Sequence, residues 1–387
     1  MGKIVVLGGY GEMGRVIVTD LSQTFRNGTI VVAGRDREKA ASFAASFRMK
    51  NVVGVRASSG SRSQMRSALR GAAVLINATN YYSNVEVMRH ALANNVNYVD
   101  LGGLYWTTKE QLKLHSRFKK AGLIAVLGCG STPGITNVMA EFGARRFDRI
   151  RSLDVSFADK DYTQYTQPFV VPYSMQTVFD EFTKRPPFLD KGRMRLGKPL
   201  SDVKRVDFPK PVGRAACRLC IHSELASLPR SLKEKGIKEC SFRGSWDEDF
   251  IAKTRFLIDA GFASDVQVRI GRREIVPREV SVALLNRFMP PKGLRINDTE
   301  FLRVEMRGTR AGKAKRLIVY CQAFTNKKHN IPAGSWDTGV PPSIIAQEIV
   351  RGQVKGKGVM TPEQCIKPSL LFKALRRRNV RVFTRSK

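Results

Sequence analysis

The chain has 387 residues, and its 42% hydrophobic content is enough for a substantial core, which predicts two domains rather than one. Its 67 Lys and Arg against 33 Asp and Glu give a net charge of +34, which favours anionic ligands; because these basic residues are scattered and accompany no recognition motif, nucleic acid is not expected as the main partner. There is no apolar stretch of the ~18 residues that a membrane span needs, and the six cysteines have no regular spacing typical of a disulfide framework. The strand predicted at Lys3 leaves no room for a signal peptide, so we expect a cytoplasmic protein.

Strands and helices are predicted to alternate through about the first 130 residues. Apolar runs typical of buried parallel strands lie at 4–7, 30–33, 52–55, 74–76, 98–100 and 123–126. Segments with helical spacing of apolar residues lie at 13–21, 37–47, 85–94 and 109–120. This repeated alternation predicts an α/β fold with a doubly wound parallel sheet, the Rossmann arrangement, built with right-handed crossovers.

The turn after the first predicted strand carries a glycine motif, G-x-G-x-x-G, typical of dinucleotide-binding sites. It consists of Gly9, Tyr10, Gly11, Glu12, Met13 and Gly14. The first glycine allows the tight turn, the second lets the backbone approach a pyrophosphate, and the third lets the helix pack closely on the strand. The N–H groups at the start of the helix then face the phosphates, so we predict that these residues bind the cofactor.

The end of the second predicted strand indicates which dinucleotide binds. An NAD site usually has Asp or Glu there to accept hydrogen bonds from the ribose 2′-hydroxyl, whereas this chain has Arg35, with Lys39 four residues later. A guanidinium at that point favours a 2′-phosphate, so we predict NADP rather than NAD. Asp36 is the counter-evidence, because a small backbone shift could bring its carboxylate to the ribose.

Asn77, Ala78 and Thr79 end the fourth predicted strand, at the edge of the sheet where the nicotinamide ring usually lies. We predict that these small groups line the path of the ring. The alternative is that they only begin a loop.

Beyond residue 131 the pattern changes to that of an α+β domain. Residues 151–158, 301–306 and 317–323 alternate with period two, and the last two predict an antiparallel hairpin. Helices are predicted near 223–235 and 249–260, and an amphipathic helix from 341 to 351 is expected to pack back on the first domain. We therefore divide the chain into a nucleotide-binding domain (1–131), a substrate-binding and dimerisation domain (132–335) and a C-terminal helical segment (336–387).

Cys217, Cys220 and His222 could form half of a metal site. A zinc site needs a second pair of ligands at suitable spacing, and only Cys240 follows, so we predict no metal and instead alternating burial along a strand.

Several later segments resemble the saccharopine dehydrogenase family, which includes saccharopine reductases, lysine 6-dehydrogenases and carboxynorspermidine dehydrogenases. They are 97–101, 130–137, His222-Ser223-Glu224 with Leu228-Pro229, 338–341 and 357–363. The resemblance implies a Rossmann domain with an α+β domain that supports a homodimer. It also implies hydride transfer between NAD(P) and a C–N bond of an amino acid. Family members commonly have Asp or a small apolar residue where this chain has Thr132, which weakens any transfer of substrate contacts at that segment.

Saccharopine reductase chemistry is the preferred hypothesis, because Arg35 favours NADP and a tricarboxylate product suits a cationic protein. Lysine 6-dehydrogenase chemistry is the next alternative. Carboxynorspermidine dehydrogenase chemistry is less favoured, since a polycationic product would be repelled by a net charge of +34. A non-enzymatic alternative is an NADP-sensing regulator that has kept the fold without turnover.

Proton exchange with an amine or imine calls for a general acid or base near neutral pKa. His222 is the candidate, with Glu224 beside it to hold its tautomer; the alternative is that the pair only ends a strand and caps a helix. Asp100, at the end of the fifth predicted strand, is a second catalytic candidate, or else a turn or helix cap. Substrate contacts are predicted from Tyr105, with Trp106 after it, and from Thr132, Gly134 and Asn137, where a helix N-terminus could bind a carboxylate.

Overall fold

The computed structural model describes residues 2–286, 288 and 293–386. Its first part alternates strands and helices, in the order β1 Lys3–Leu7, α1 Glu12–Thr24, β2 Thr29–Gly34, α2 Arg37–Ser46, β3 Val52–Arg56, α3 Arg62–Leu69, β4 Val74–Asn77, α4 Asn84–Ala93, β5 Asn97–Asp100, α5 Leu104–Leu112, α6 His115–Lys120 and β6 Ile124–Val126. A 3₁₀ turn, Tyr81–Ser83, precedes α4.

These strands pair in parallel in the order β6-β5-β4-β1-β2-β3, which confirms the predicted doubly wound sheet. Two helical details differ from the prediction. The segment 109–120 forms two helices, because Lys113 and Leu114 close tight turns by donating to carbonyls three residues back. The helix α3, between the third and fourth strands, had not been predicted.

The second part begins with α7 Ile135–Ala144 and contains a mixed sheet. Its further elements are β7 Arg149–Asp161, α8 Met175–Thr183, β8 Pro187–Asp190, β9 Arg193–Leu196, β10 Lys204–Asp207, β11 Arg214–Leu219, α9 Glu224–Ser231, β12 Glu239–Gly244, α10 Glu248–Asp259, β13 Val268–Ile270, β14 Arg273–Ile275, α11 Pro277–Leu285, β15 Asp298–Arg310 and β16 Lys313–Phe324. The strands β15 and β16 form the predicted antiparallel hairpin, and β15 also pairs with β7.

The C-terminal elements are α12 Ala333–Val350, β17 Gly358–Met360, α13 Pro362–Cys365, α14 Pro368–Arg376 and β18 Arg381–Ser386. Helix α12 packs on α1, as predicted, and the Ser343 hydroxyl donates to the Asp20 carboxylate at 2.6 Å. It begins well before the predicted start and contains two prolines. The segment is not only helical: β17 extends the parallel sheet beside β6, and β18 pairs with β16 in the mixed sheet.

The main apolar core joins the two sheets. It includes Ile4 and Val6 of the parallel sheet and Val155, Leu302 and Val304 of the mixed sheet. Alternate residues of β7 and β15 therefore point toward the helices that connect the two parts, and the other residues of these strands face away. Among the described residues, no helix is long and apolar enough to cross a membrane.

Candidate functional site

The glycine loop between β1 and α1 has the backbone geometry of a pyrophosphate cradle. A Cβ at Gly14 would overlap the Gly8 carbonyl oxygen, and one at Gly9 would lie 2.8 Å from the Val6 carbonyl oxygen, so neither position tolerates a side chain. Gly11 caps α1 and is exposed, which leaves the first N–H groups of the helix accessible. These residues fit a dinucleotide phosphate group.

Tyr10 holds the turn that follows β2. Its ring packs against Gly34, where a Cβ would overlap the ring, and its hydroxyl accepts a hydrogen bond from the Asp36 N–H at 2.9 Å. The Asp36 carboxylate accepts from the Lys39 N–H at 3.0 Å and caps α2, and this hydrogen bond lowers the pKa of Asp36. The Asp36 carboxylate is therefore used as a helix cap. This removes the argument that Asp36 binds the ribose 2′-hydroxyl of NAD.

Basic side chains surround the end of β2. Arg35 and Lys39 are exposed, as is Arg56, which ends β3 and pairs in register with Gly34. Sequence reasoning missed Arg56, although it is the last residue of the strand next to β2. Together these three cations fit the 2′-phosphate of NADP.

The β4 end differs in part from the prediction. Asn77 is buried, donates to the Asn84 side-chain oxygen at 2.9 Å and accepts from the Thr79 hydroxyl at 2.7 Å. Its role is to shape the turn, so it does not line the path of the nicotinamide ring. Ala78 and Thr79 remain on the accessible side of the turn.

Asp100 is a structural anchor. It is fully buried, and its carboxylate accepts hydrogen bonds from the Gly128 N–H at 2.7 Å, the Gly102 N–H at 3.0 Å and the Gln111 amide. Burial raises its pKa. The carboxylate ties the ends of β5 and β6 together, which corrects the hypothesis that it contacts the substrate or acts as a base.

The two aromatic residues that follow β5 differ in exposure. Tyr105 is buried in the core, whereas Trp106 is half-exposed. The Lys109 ammonium lies 5.3 Å from the Tyr105 ring centroid and 5.5 Å from that of Trp106. The prediction chose the buried ring, and only Trp106 presents an aromatic surface to solvent.

The loop before α7 satisfies its own backbone. Gly134 donates to the Asn137 side chain, whose amide donates to Glu363 at 2.9 Å, and Ile135 donates to the Gly130 carbonyl. A Cβ at Gly134 would overlap the Gly130 carbonyl oxygen. Asn137 and Gly134 therefore have structural roles, which corrects their predicted substrate contacts; Thr132 is the partly exposed residue of the loop.

His222 and Glu224 form a buried dyad at the start of α9. The His222 Nδ1 shares a hydrogen bond with one Glu224 carboxylate oxygen, and the other oxygen accepts from the Thr136 hydroxyl at 2.8 Å. The imidazole stacks on Phe242 with ring centroids 3.9 Å apart. Burial lowers the pKa of His222, but the carboxylates of Glu224 and Glu181 outweigh this effect and raise it. Within the described part of the chain, Nε2 has no hydrogen-bond partner, so it is the ring atom left for a ligand.

Ser223, between His222 and Glu224, attaches the dyad to the parallel sheet. The Ser223 hydroxyl accepts from the Gly103 N–H at 3.4 Å and from the Thr108 hydroxyl at 3.2 Å. Gly103 follows β5, so the dyad lies against the carboxyl ends of the parallel strands. Ligands of open α/β sheets bind at this edge.

Helix α8 contributes two carboxylates that sequence reasoning missed. Glu181 is buried and accepts from the Tyr173 hydroxyl, and burial raises its pKa to about 7. Asp180 accepts from the hydroxyls of Tyr81 and Tyr82, which follow the β4 turn, and from Arg278 at 2.7 Å. Burial raises the pKa of Asp180, but these hydrogen bonds outweigh it and lower the pKa.

Lys184 completes this second cluster at the β4 edge. Its ammonium lies 3.1 Å from the Asp180 carboxylate and 5.2 Å from the centroid of the Tyr82 ring. Its side chain is 37% exposed. A cation that remains accessible near the predicted nicotinamide position can bind a carboxylate. Its pairing with Asp180 is local, but the tyrosines that place the cluster at the β4 edge lie about 100 residues away, so no local pattern marked it.

The cysteines near His222 are separated by the sheet. Cys217 belongs to the small apolar cluster on one face and Cys220 to the main core on the other. In residues 2–286, 288 and 293–386, no group of three or more His, Cys, Asp or Glu is placed to hold a metal ion.

Fold and site together define an oxidoreductase with a Rossmann nucleotide-binding domain. Residues 4–126 match the model described as the saccharopine dehydrogenase NADP binding domain, and residues 130–380 match the saccharopine dehydrogenase C-terminal domain. The chain therefore belongs to the saccharopine dehydrogenase family. The predicted family, enzyme class and NADP cofactor are confirmed.

Curated relatives and solved structures agree with this assignment. The chain is 27% identical over 306 residues to carboxyaminopropylagmatine dehydrogenase of Synechocystis sp., covering 76% of this chain and 75% of the relative. It is 26% identical over 312 residues to carboxynorspermidine synthase of Vibrio cholerae, covering 75% and 72%. Apo saccharopine dehydrogenase (L-Glu forming) from Saccharomyces cerevisiae superposes over 100% of both chains with a TM-score of 0.75 at 14% identity, which supports the fold.

Proposed function

We propose that the chain interconverts an imine and a secondary amine with NADP(H), on a substrate that joins a carboxylate-bearing unit to a cationic amine. The observation that carries this proposal is the His222–Glu224 dyad, held by Ser223 at the ligand-binding edge of the NADP domain. The names of the relatives, which combine a carboxyl group with norspermidine or aminopropylagmatine, support the class of substrate.

The dyad supplies proton exchange. When bound, NADPH supplies the hydride that reduces the carbon of a C=N bond. The amine nitrogen gains or loses a proton in the same reaction, and Nε2 of His222 is the open ring atom for that exchange. Glu224 holds Nδ1 and favours the protonated imidazole, because its negative charge lies next to the ring. Phe242 covers one face of the imidazole and fixes its orientation.

Lys184 is our candidate for the substrate carboxylate. It is the accessible cation of the cluster at the β4 edge, and Tyr81, Tyr82 and Asp180 fix its position from both parts of the chain. A carboxylate bound there would lie on the side of the cleft where the β4 turn meets α8. Arg278 is less available, because it is buried and also donates to the Ala263 carbonyl oxygen.

The relatives favour the substrate class that the global charge argument placed lower. Net charge describes the average potential around the protein, whereas recognition depends on the groups that a ligand meets. The dyad region contains the carboxylates Glu181 and Glu224 and is therefore not a cationic pocket. The homodimer implied by the family resemblance remains a prediction, and light scattering measures it directly.

The test is a substrate screen that follows NADPH absorbance. Saccharopine, lysine and carboxynorspermidine are supplied with NADP, and the corresponding aldehyde and amine pairs are supplied with NADPH. We expect turnover with the carboxylated polyamine and little with saccharopine. Higher turnover with saccharopine would contradict the proposed substrate class, and absence of turnover with every pair would contradict the reaction.

His222→Asn tests the proton-exchange role. It keeps a polar group of similar size but cannot hold a proton near neutral pH, so we expect kcat to fall about a hundredfold, with NADPH affinity unchanged. The pH profile of kcat should also lose the limb assigned to the imidazole. If kcat and its pH profile stay the same, His222 has only a structural role.

A further inference from the structure

Four carboxylates face one another across the β7–β15 ladder. Asp161 pairs in register with Asp298, and Asp159 pairs with Glu300. Alternate residues of a strand share a face, so all four lie on the face that carries the main core. Like charges directly opposite each other destabilise a sheet, and a ladder with two such pairs therefore needs an explanation.

A fifth carboxylate, Asp337 of α12, closes the buried side of this group. It is fully buried, and neither of its carboxylate oxygens has a hydrogen-bond partner among the described residues. Repulsion from Glu300 and Asp298 adds to the effect of burial and raises its pKa. The group runs from the exposed Asp159 and Asp161 through half-buried positions to Asp337, and we call these five residues the acidic cluster.

The acidic cluster has no internal counter-ion in the part of the chain that the structure describes. None of its carboxylates lies within ion-pair distance of Lys, Arg or His in residues 2–286, 288 or 293–386, although the sequence has 67 Lys and Arg. Burial and neighbouring carboxylates raise the pKa of Glu300 to about 8. Asp161 accepts hydrogen bonds from the Thr163 N–H and the Tyr165 hydroxyl, and Asp298 accepts from the Ala333 N–H at the start of α12. These donors are neutral, so a cation from outside would still stabilise the group.

An aromatic path connects the dyad with the acidic cluster. Phe242 lies under the His222 ring, and its centroid is 6.1 Å from that of Phe157. Phe157 also contacts Trp246 at 5.3 Å and precedes Asp159 by two residues on the same face of β7. These rings place the dyad and the carboxylates on the same face of the mixed sheet.

We propose that the acidic cluster binds the distal ammonium or guanidinium group of the substrate's amine chain. This inference rests on the proposed function and extends it, because it assigns the residues that select a cationic amine over a neutral one. Attraction between the cation and several carboxylates would offset the cost of keeping them together. The cluster lacks a metal-holding arrangement within the described residues, which favours an organic cation.

A binding experiment tests this without turnover. Norspermidine and agmatine are titrated calorimetrically into the protein, with propylamine as the probe that lacks a second cation. In Glu300→Gln/Asp337→Asn we expect the affinity for norspermidine and agmatine to fall about tenfold, with little change for propylamine. The control is Glu110→Gln/Asp207→Asn, which removes the same two carboxyl groups from exposed positions. Equal losses in both double variants, or none in either, would overturn the proposal.

Kinetics separate failure of this inference from failure of the proposed function. The wild-type chain should prefer an amine substrate with a second cation over a neutral one of equal length, and the cluster variant should lose this preference through KM. If the wild-type chain turns over both amines equally well, the acidic cluster is not the amine subsite, while imine reduction stands. Thermal unfolding checks that the variant is folded, and its midpoint should be unchanged or higher, because repulsion has been removed.

Discussion

Glu300 and Glu305 lie on the same strand, β15, but on opposite faces of the mixed sheet, and their environments differ completely. Burial raises the pKa of Glu305, but hydrogen bonds from Arg316, Arg303 and Arg307 outweigh it and lower the pKa to about 2. Glu300 has no such partners, and burial with neighbouring carboxylates raises its pKa to about 8. The protein neutralises carboxylates on the outer face and leaves those of the acidic cluster for a ligand.

The largest effect is expected from removing the paired carboxylate of Glu305. Glu305→Gln leaves the surrounding arginines without their shared anion, so we expect the free energy of unfolding to fall by about 2 kcal/mol. Glu300→Gln removes a carboxyl of the same strand that has no ion-pair partner in the described residues, and it should cause no loss. Chemical denaturation at neutral pH measures both variants, and equal destabilisation would contradict the distinction between the faces.

Arg35 is a cation that has no partner in the described residues, as Glu300 is an anion without an ion-pair partner there. Its guanidinium is therefore available to a phosphate. Because hydrogen bonds to charged groups contribute about 1.5–3 kcal/mol, Arg35→Ala should weaken NADPH binding about tenfold and NADH binding much less. The control is Lys50→Ala. Lys50 is an exposed cation just before β3, so it lies at the amino ends of the strands, whereas Arg35 lies at the carboxyl ends. Fluorescence titration with both dinucleotides is the measurement, and parallel losses for the two would refute the 2′-phosphate role.

The smallest expected effect is on the pH dependence of stability, where Glu300 and Glu305 should differ in sign. The folded-state pKa of Glu300, about 8, lies above its ordinary value of 4.5, so the folded state binds more protons between these values and its stability falls as pH rises. Glu300→Gln should reduce that decline by about 1 kcal/mol between pH 5 and 8, which is less than the full shift implies because solvent reaches this half-buried carboxyl. Glu305 has the opposite sign, since its lowered pKa makes stability fall only as pH drops from about 4.5 toward 2. If Glu300→Gln leaves the slope above pH 5 unchanged, the acidic cluster is not charged in the way proposed.

Local patterns predicted the parts of the site that local sequence builds. The glycine loop and the His222–Glu224 pair could be proposed from the sequence, because the residues of each lie within a few positions of one another. Arg56 was missed because its position depends on the pairing of β3 with β2. The acidic cluster could not be found, because Asp159 and Glu300 meet only through a strand register that spans about 140 residues.

Several polar residues were given chemical roles, but the structure commits their side chains to hydrogen bonds within the protein. Asp100 and Asn137 occur in segments shared with the family, but their side chains hold loops together from within the core. A segment can resemble a family because its backbone must be held in one shape, and the sequence does not distinguish this from contact with a ligand. A side-chain atom without a partner in the described residues distinguishes them, as Nε2 of the buried His222 shows.

The return of the chain's end to both sheets bears on how this protein is made. Strand β17 completes one edge of the parallel sheet and β18 completes one edge of the mixed sheet, while α12 lies against α1. On the ribosome, the nucleotide-binding half therefore emerges long before its own edge strand, and neither half can finish folding until residues 358–386 have been synthesised. Both sheets therefore depend on this late segment for their last strands, so the two halves are coupled in folding as well as in structure.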